Sequence, residues 1–350
     1  MKGKLLYIGN LREGGNGRDR ISVWENAGWQ VEGIDTRPYR VGGNRLVRTM
    51  TSRWQIGPQV AKLNAMLQAR AARADYDVVM VDKGTVLRRA SVQALKANAR
   101  AGIAIHYTPD AAFYDNRSRE FFRAIPDYDL LVTTKPFETE HYRKAGARDL
   151  LLIEQGFGPR IDPALADDVP DHLRSEVAFV GHCQPHYAKT LEVSAQAAPL
   201  SIWGPGWPEY AEKHAWAQAV VRGPGLYGAD YAKALGGAKI AIGLLSKRVP
   251  ETTTTRTFEI PAMGTMLLAE RTGDHQRLFE EGVEAEFFAS PEELSQKLAF
   301  YAADAKKREA IAQAGMAKCQ NAGYSTAAQF ARISHWLDAA LASGNKGTSK

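Results

Sequence analysis

The sequence predicts an α/β protein of two domains, each built on a doubly wound parallel sheet. Short apolar runs alternate with helical patterns along the chain, and most runs are apolar on consecutive positions. Such strands are buried on both faces, as in a parallel sheet that helices cover on both sides. The pattern restarts after a stretch rich in Gly, Pro and Asp at 156–171, and 350 residues are enough for two domains.

In the first half of the chain, six apolar runs predict strands. They cover 4–9, 30–35, 77–82, 103–107, 129–134 and 150–156. Helical patterns between them predict helices at 18–27 and 59–74, and a third that passes through Tyr142 and ends near Gly146. We therefore expect a first domain at 1–160, followed by a linker at 161–172.

The second half repeats the alternation. Its predicted strands are 177–181, 200–204, 219–223, 239–245, 266–270 and 285–290. Its predicted helices lie near 188–197, 209–217, 229–237, 291–302, 304–319 and 326–343. We expect a second domain at 173–325, with the last helix after it.

The charge and the composition narrow the class of partner. The formal net charge is +6, and the basic residues are spread along the chain. Such an excess attracts nucleic acid, phosphorylated small molecules or an anionic membrane face. No Lys- and Arg-rich run alternates with aromatics, so nucleic acid is not expected as a partner.

The start of the chain lacks a signal-peptide pattern. The two cysteines of the chain fit no disulfide pattern, so a cytoplasmic protein is expected.

Ligands of open parallel sheets bind beyond the carboxyl ends of the strands, here in a cleft between the two domains. The residues at the predicted strand ends are rich in Gly, His and charge, which suits a phosphate-bearing ligand. They are Gly9, Asn10, Asp82, Lys83, His106, Tyr107, Thr133, Thr134, Gly181, His182, Gly204 and 246–259.

A glycine-rich loop, GNLREGGNGRDR, follows the first strand. Gly14 and Gly15 would let the backbone approach a phosphate, and the next helix would offer free N–H groups to it. A flexible turn is the alternative interpretation. The loop lacks GxGxxG, which argues against a dinucleotide-dependent dehydrogenase.

Two histidines stand at strand ends. His106 is expected to face a ligand, either binding a sugar hydroxyl or transferring a proton. Asp110 follows on the next loop and is a catalytic candidate, although it could simply form the turn after Pro109. His182 lies in GHCQPHY, whose spacing suits no standard zinc site, so no metal is expected.

The segment PETTTTRTFEIPAMG at 250–264 conflicts with ordinary helix rules. Its threonines are candidate N-caps, yet Pro261 is tolerated only near a helix start, which predicts a short or kinked helix. Glu251 then lies in the preceding loop and Glu259 on the first turns. Glu259 could stabilise the helix terminus, but that role leaves Glu251 and Arg256 unexplained. We therefore expect a functional site here.

The segment from Glu251 to Glu259 resembles the E-x7-E segment of retaining GT-B glycosyltransferases of group 1. The run RTFEIPAMGTMLLAERTGDHQRLFEEGVEAEFFASPEEL is similar to glycosyltransferases related to the spore maturation protein CgeB. YDLLVTTKP and REAIAQAG fit the same family. The resemblance covers most of 100–330 and implies two Rossmann-like domains, with the last helix crossing back to the first.

By this resemblance, the second domain holds a nucleotide-sugar donor, and a UDP-sugar is favoured. Glu259 would bind the ribose hydroxyls, Glu251 the donor sugar and Gly14 and Gly15 the donor phosphate. His106 would contact the sugar near the reacting centre. The acceptor, a glycan, glycolipid or other hydroxyl compound, would lie against the first domain. Neither a metal nor a separate cofactor would be required.

One departure from that family concerns the cations for the diphosphate. The Arg and Lys expected after the first strand of the second domain are replaced by Gly181, His182 and the residues after them. Lys247, Arg248 or Arg256 could substitute, and Thr257 is a further donor-binding candidate.

Two functions other than glycosyl transfer are left open, a sugar-nucleotide epimerase and a non-catalytic nucleotide-sugar-binding or assembly protein. The basic charge is compatible with peripheral binding to the inner membrane face, and the oligomeric state is left open.

Overall fold

The computed structural model describes residues 2–41, 44–114 and 116–344. The chain divides into two compact units. Unit 1 comprises Met1–Glu154 and Ala327–Lys350, and unit 2 comprises Gln155–Thr326. Both are α/β units with an entirely parallel sheet of six strands. None of the helices in the described ranges combines the length and the apolarity needed to cross a membrane.

The sheet of unit 1 has the strand order β2-β1-β3-β4-β5-β6. Its strands are β1 Gly3–Gly9, β2 Trp29–Asp35, β3 Val78–Asp82, β4 Ile103–Thr108, β5 Leu130–Thr133 and β6 Leu150–Leu152. Every residue of β3, β4 and β5 is buried, as the consecutive apolar positions predict. The prediction of a strand to residue 156 is wrong, because pairing with β5 ends at Leu152.

Helices cover both faces of this sheet. They are α1 Asn16–Asn26, α2 Arg37–Val41, α3 Arg45–Thr49, α4 Pro58–Ala71, α5 Arg89–Ala97, α6 Arg119–Ala124 and α7 Thr139–Lys144. The last helix of the chain, α16 Thr326–Gly344, also belongs to this unit. Its Phe330 contacts Trp24 of α1 and Tyr107 of β4, with ring centroids 5.8 and 5.3 Å apart.

Unit 2 has the strand order β12-β11-β10-β7-β8-β9. Its strands are β7 Ser175–Val180, β8 Leu200–Trp203, β9 Val221–Gly223, β10 Ala238–Gly243, β11 Met266–Glu270 and β12 Glu286–Phe288. Its helices are α8 Pro185–Ala197, α9 Trp207–Ala211, α10 Ala215–Val220, α11 Gly228–Gly236, α12 Arg256–Ala262, α13 Gly273–Leu278, α14 Pro291–Ala303 and α15 Ala305–Asn321. Ile161 and Val169, from the predicted linker, are buried in its core.

The structure differs from the sequence prediction at helices α10 and α5. The run AVVRG was predicted as one strand, but α10 continues to Val220 and only three residues pair as β9. Helix α5 was not predicted, although Val92 and Leu95 are buried at helical spacing. Short apolar runs do not distinguish a strand from a buried helix, so tertiary packing decides between them.

Candidate functional site

The central strand β7 ends in a tightly packed glycine turn. A Cβ at Gly204, after the neighbouring β8, would lie 1.8 Å from the carbonyl oxygen of Gly181. The same oxygen accepts a hydrogen bond from Trp207 Nε1 at 3.0 Å. Helix α8 begins soon afterwards, at Pro185. The turn therefore leads to a helix N-terminus at the carboxyl edge of the sheet, where anions bind favourably.

Arg256, the first residue of α12, lies against this turn. Its Nη1 atom is 3.5 Å from the place that a Cβ at Gly181 would occupy. Its Nε is buried and, within the described ranges, has no hydrogen-bond partner. In the same part of the chain, the Arg256 side chain makes no hydrogen bond or ion pair. A guanidinium kept unpaired beside a strand end is costly, which points to an anionic ligand.

His182 follows Gly181 and is exposed. Partial burial and the positive charge of Arg256 lower the pKa of the His182 imidazole. The structure therefore brings Gly181, His182 and Arg256 together at the end of β7. Within the described ranges, no group of three or more His, Cys, Asp and Glu side chains could hold a metal ion.

The loop from β10 to α12 holds three further predicted site residues. Lys247 forms an ion pair with Glu270 at the end of β11, and its side chain is 59% exposed. Arg248 is exposed, and its backbone N–H donates to Ser246 Oγ at 3.3 Å. Glu251 Oε2 accepts a hydrogen bond from the Ser246 N–H at 3.3 Å. The Glu251 carboxylate thus helps to hold the loop that carries both cations.

The predicted start of α12 is confirmed, since the helix is short, begins at Arg256 and has Thr255 at its N-cap position. Within the described ranges, however, the Thr255 side chain makes no capping hydrogen bond. Thr257 Oγ1 instead accepts from the Thr254 N–H at 3.1 Å and lies 2.9 Å from His275 Nε2. Because His275 Nδ1 lies 2.6 Å from the Glu270 carbonyl, which can only accept, Nε2 of the neutral ring is the acceptor.

The Thr257 hydroxyl therefore makes two hydrogen bonds within the protein. It donates to His275 Nε2 and accepts from the Thr254 N–H. The His275 side chain is 1% exposed, and burial lowers its pKa. Together these contacts connect the threonine segment to β11. They favour a positioning role for Thr257 over direct donor binding.

Glu259 is buried on the first turns of α12, with 2% of its surface exposed. Its Oε1 accepts from Arg160 Nη2 at 2.7 Å, and its Oε2 accepts from Tyr231 Oη at 2.6 Å. Burial and the carboxylate of Glu259 raise the pKa of the Tyr231 phenol well above its usual value. A carboxylate accepts up to about four hydrogen bonds, so these two partners fix its orientation without filling its capacity.

Gly14 and Gly15 lie in unit 1, in the loop after β1. Gly14 has a φ of +65°, a conformation that favours glycine. Gly15 is the N-cap of α1. The loop thus has the glycine turn and the helix start that the sequence predicts. Whether these glycines contact a phosphate stays a prediction.

His106, on β4 of unit 1, was expected to face a ligand, and the structure places it in the buried lining of a small cavity. It is 1% exposed, and its ring stacks on Phe121 with centroids 4.2 Å apart. Its Nε2 lies 2.9 Å from the carbonyl oxygen of Lys83. Burial lowers the pKa of the imidazole to about 4, so the ring is neutral at physiological pH.

Asp110 lies near His106 in sequence and shares a small cavity with it. Its carboxylate pairs with Lys83, Nζ to Oδ2 at 2.6 Å, and each side chain is about a third exposed. Although burial acts to raise the pKa of Asp110, the charge of Lys83 outweighs it and holds that pKa below the usual value. The catalytic candidates of unit 1 are thus a neutral histidine and an ion pair.

Sequence reasoning missed Arg160, Tyr231 and His275. Arg160 is the last residue of the predicted first domain, whereas the structure places it in unit 2. Lys83 was noted as a strand-end residue, because it directly follows the buried strand VVMVD at the edge where ligands bind. For Arg160 and Tyr231 the sequence offers no comparable signal, because their partner Glu259 is distant along the chain.

Part of the chain is similar to a known protein family. Residues 187–335 match a family model described as glycosyl transferase-like. No curated protein sequence matches the chain. The match spans Arg256 and Glu259 but begins after Gly181 and His182.

Solved structures with the same fold cover nearly the whole chain. HepE (Alr3699) of Anabaena, in complex with UDP and glucose, is 14% identical, with 96% of this chain and 100% of that chain covered and a TM-score of 0.64. Sucrose-phosphate synthase of Thermosynechococcus elongatus is 16% identical, with 96% and 99% covered and a TM-score of 0.63. A glycosyltransferase of Rickettsia africae is 16% identical, with 97% and 98% covered and a TM-score of 0.64.

The chain therefore has the GT-B fold of two Rossmann-like units, and its residues 187–335 are similar to a glycosyl transferase-like family. The predicted fold class is confirmed. The likeness to a broad glycosyltransferase family is confirmed as well, whereas the CgeB-like subfamily stays a prediction.

Proposed function

We propose that the protein transfers a sugar from a nucleotide-diphosphate-sugar, with a UDP-sugar favoured, to a hydroxyl acceptor, with retention and without a metal. The observation that carries this proposal is Arg256, beside the glycine turn at the end of β7, whose buried Nε has no hydrogen-bond partner among the described residues. A diphosphate seated at this turn supplies the missing partner. The glycosyltransferase-like family match and the UDP-bound HepE structure support this choice of ligand.

The chemistry requires positive charge where negative charge develops. As the glycosidic bond to the diphosphate breaks, the sugar becomes positively charged and the leaving diphosphate gains negative charge. Fixed cations and N–H groups aimed at the diphosphate stabilise that transition state. In this protein, Arg256 and the N-terminus of α8 have those roles, and the leaving phosphate takes the proton of the acceptor hydroxyl.

Two carboxylates would hold the rest of the donor. Glu259, oriented by Arg160 and Tyr231, would accept hydrogen bonds from the ribose hydroxyls with its remaining lone pairs. Glu251 would face the hydroxyls of the donor sugar. Lys247 and Arg248 rank below Arg256 as diphosphate ligands, because Lys247 is paired with Glu270 and both side chains are exposed.

In unit 1, Gly14 and Gly15 would approach the donor phosphate, and His106 and Asp110 would lie near the reacting sugar. The acceptor would be a glycan, a glycolipid or a component of a surface polysaccharide. A cytoplasmic location and peripheral contact with an anionic membrane face belong to the same proposal.

The test is a nucleotide titration of the purified protein by calorimetry, with UDP, GDP, ADP, CMP and dTDP, each with and without a chelator. We expect one nucleoside diphosphate to bind selectively and equally well in chelator. Binding that requires magnesium would contradict the metal-independent site. No binding of any of the five would contradict the donor site itself.

A second measurement separates the alternatives. Incubation with the selected nucleotide-sugar should release the nucleotide, and proton NMR of the transferred sugar should show the anomeric configuration of the donor. Conversion to another nucleotide-sugar without release would indicate an epimerase. Binding without turnover across a broad panel of glycan acceptors would favour a non-catalytic binding protein.

A further inference from the structure

Three large apolar side chains are exposed close together in sequence in unit 1. Leu46, on α3, is 65% exposed, Trp54 is 56% exposed and Ile56 is 50% exposed. Elsewhere in the described ranges the exposed large apolar side chains stand singly, and they are Leu152, Tyr227, Val283 and Phe300. Single exposed apolar residues are normal, whereas a cluster of them marks an interaction surface.

Leu46 and Trp54 lie on one side of a short helical segment. Helix α3 continues directly into a π-helical turn, Met50–Trp54. Hydrogen bonds in a π turn span five residues rather than the four of an α turn, so one turn of each kind takes about eight residues together. Leu46 and Trp54 are eight positions apart, which places one above the other, and Ile56 follows soon after.

Other side chains of this segment anchor it to unit 1. Thr51 is buried, and Gln55 Nε2 donates to the Arg117 carbonyl oxygen at 2.6 Å. At the start of the segment, Asn44 Oδ1 accepts from the Val47 N–H at 3.0 Å. The exposed apolar side chains are therefore presented by a segment that is fixed elsewhere, which lowers the entropic cost of binding a partner.

The stretch of chain around this segment has no negative side chains. Although Lys and Arg occur throughout the sequence, residues 36–74 contain eight of them and neither Asp nor Glu. Outside this stretch, acidic residues slightly outnumber basic ones. Arg48 and Lys62 are exposed, as is Arg117 beside Gln55. The positive net charge of the chain thus arises where the apolar cluster is exposed.

We infer that Leu46, Trp54 and Ile56 form a docking surface that enters the headgroup region of a membrane containing anionic lipids. Tryptophan favours the membrane–water interface, and the neighbouring Arg and Lys are attracted to a negative surface potential. A stable protein interface takes roughly 20–30 residues a side, so three apolar side chains suit a lipid surface better. The inference rests on the proposed function only in that the latter includes contact with an anionic membrane face.

The test is sedimentation of the full-length protein with two kinds of vesicle, one of phosphatidylcholine alone and one of phosphatidylcholine and phosphatidylglycerol in equal parts. We expect binding to the anionic vesicles to be stronger by at least about tenfold and to weaken as salt is added, because salt screens the charges of Arg and Lys. Equal binding to both kinds of vesicle would overturn the inference.

Two matched pairs of variants locate the surface. Trp54→Gln should weaken binding to anionic vesicles about tenfold, whereas Phe300→Gln, which removes an aromatic ring that is 47% exposed in unit 2, should change it by less than about twofold. Arg48→Gln should weaken binding more than Arg222→Gln, although both remove one exposed positive charge. Urea unfolding verifies that each variant is folded. Wild-type binding by folded Trp54→Gln would refute the assignment.

Fluorescence shows whether the surface enters the lipid. Among the tryptophans in the described ranges, only Trp54 is exposed, so lipids brominated on their acyl chains should quench its emission. Trp54→Phe keeps an aromatic ring and should still bind, but this quenching should disappear. Binding of wild type without quenching would overturn the inference and would indicate a surface for a polyanion such as an acidic protein.

The outcome is independent of the donor site. The vesicle assays contain no nucleotide, and Trp54→Gln should bind UDP with an affinity within about twofold of wild type. Failure of the protein to bind UDP would therefore count against the proposed transfer reaction alone. Failure to bind anionic vesicles would count against the docking surface alone.

Discussion

Replacing Arg256 by methionine tests whether Arg256 binds a ligand or stabilises the fold. If it binds a ligand, the free energy of unfolding should rise while the affinity for the nucleotide falls. Methionine keeps an unbranched side chain of similar reach and removes the guanidinium. The buried Nε of Arg256 has no hydrogen-bond partner in the part of the chain that the structure describes, and an unsatisfied buried group costs about 1–3 kcal/mol. After allowance for some lost packing, we expect the free energy of unfolding of Arg256→Met to rise by about 1 kcal/mol.

Nucleotide affinity should fall in the same variant. A hydrogen bond to a charged group contributes about 1.5–3 kcal/mol, which corresponds to a loss of UDP affinity of about tenfold to 150-fold. The assays are urea unfolding for stability and calorimetry for the dissociation constant. Such a gain in stability with a loss of function is typical of sites that bind a ligand.

Arg222→Met is the matched control. Arg222 lies in the same unit on the edge strand β9, is exposed, and makes one side-chain hydrogen bond, of 3.3 Å to Ser201, in the described ranges. Both substitutions remove one positive charge, so nonspecific attraction of anions changes equally. The control should alter stability and affinity by less than about 0.5 kcal/mol. UDP affinity within twofold of wild type for Arg256→Met would refute the reasoning, as would a loss of stability.

Four other predictions follow from the same contacts. Glu259→Gln removes the carboxylate that pairs with the largely buried Arg160 and should lower the free energy of unfolding by about 3 kcal/mol in urea titrations. An unchanged unfolding midpoint would show that this ion pair does not contribute to stability. Lys247→Ala should weaken UDP binding less than Arg256→Met does. The reverse order of affinities by calorimetry would indicate that the diphosphate binds at the 246–255 loop. His106 has a folded-state pKa of about 4 against an ordinary value of 6.5, so the unfolded state binds more protons between these values. Stability from His106 is then present above the unfolded pKa and is lost as the pH falls, by about 2 kcal/mol from about pH 7 to about pH 5, and His106→Gln should lack this component. Gly181→Ala places a Cβ 2.9 Å from Phe179 Cζ and 3.5 Å from Arg256 Nη1, so UDP affinity should drop about tenfold, and wild-type affinity in a folded variant would exclude a close backbone approach.

The sequence by itself determined the architecture. Consecutive apolar positions in runs such as VVMVD and IAIHY are a local property of the chain, and both became strands that are buried on both faces. The restart of the pattern after 156–171 likewise gave the second parallel sheet. The unusual composition of 250–264 marked Arg256 as a candidate, because conflict with ordinary helix rules is visible without a structure.

Only the tertiary structure decided which of the candidate side chains are paired. Glu259 meets Arg160 across 99 residues of sequence, and Thr257 meets His275 across 18. His106 is buried at the end of β4, because its ring stacks on Phe121 of α6. Periodicity and turn chemistry depend on neighbours in sequence, whereas these pairings depend on strand order and on how loops pack. For the same reason the sequence proposed three cations for the diphosphate. Only the packing of α12 against Gly181 singles out Arg256, whose buried Nε has no hydrogen-bond partner among the described residues.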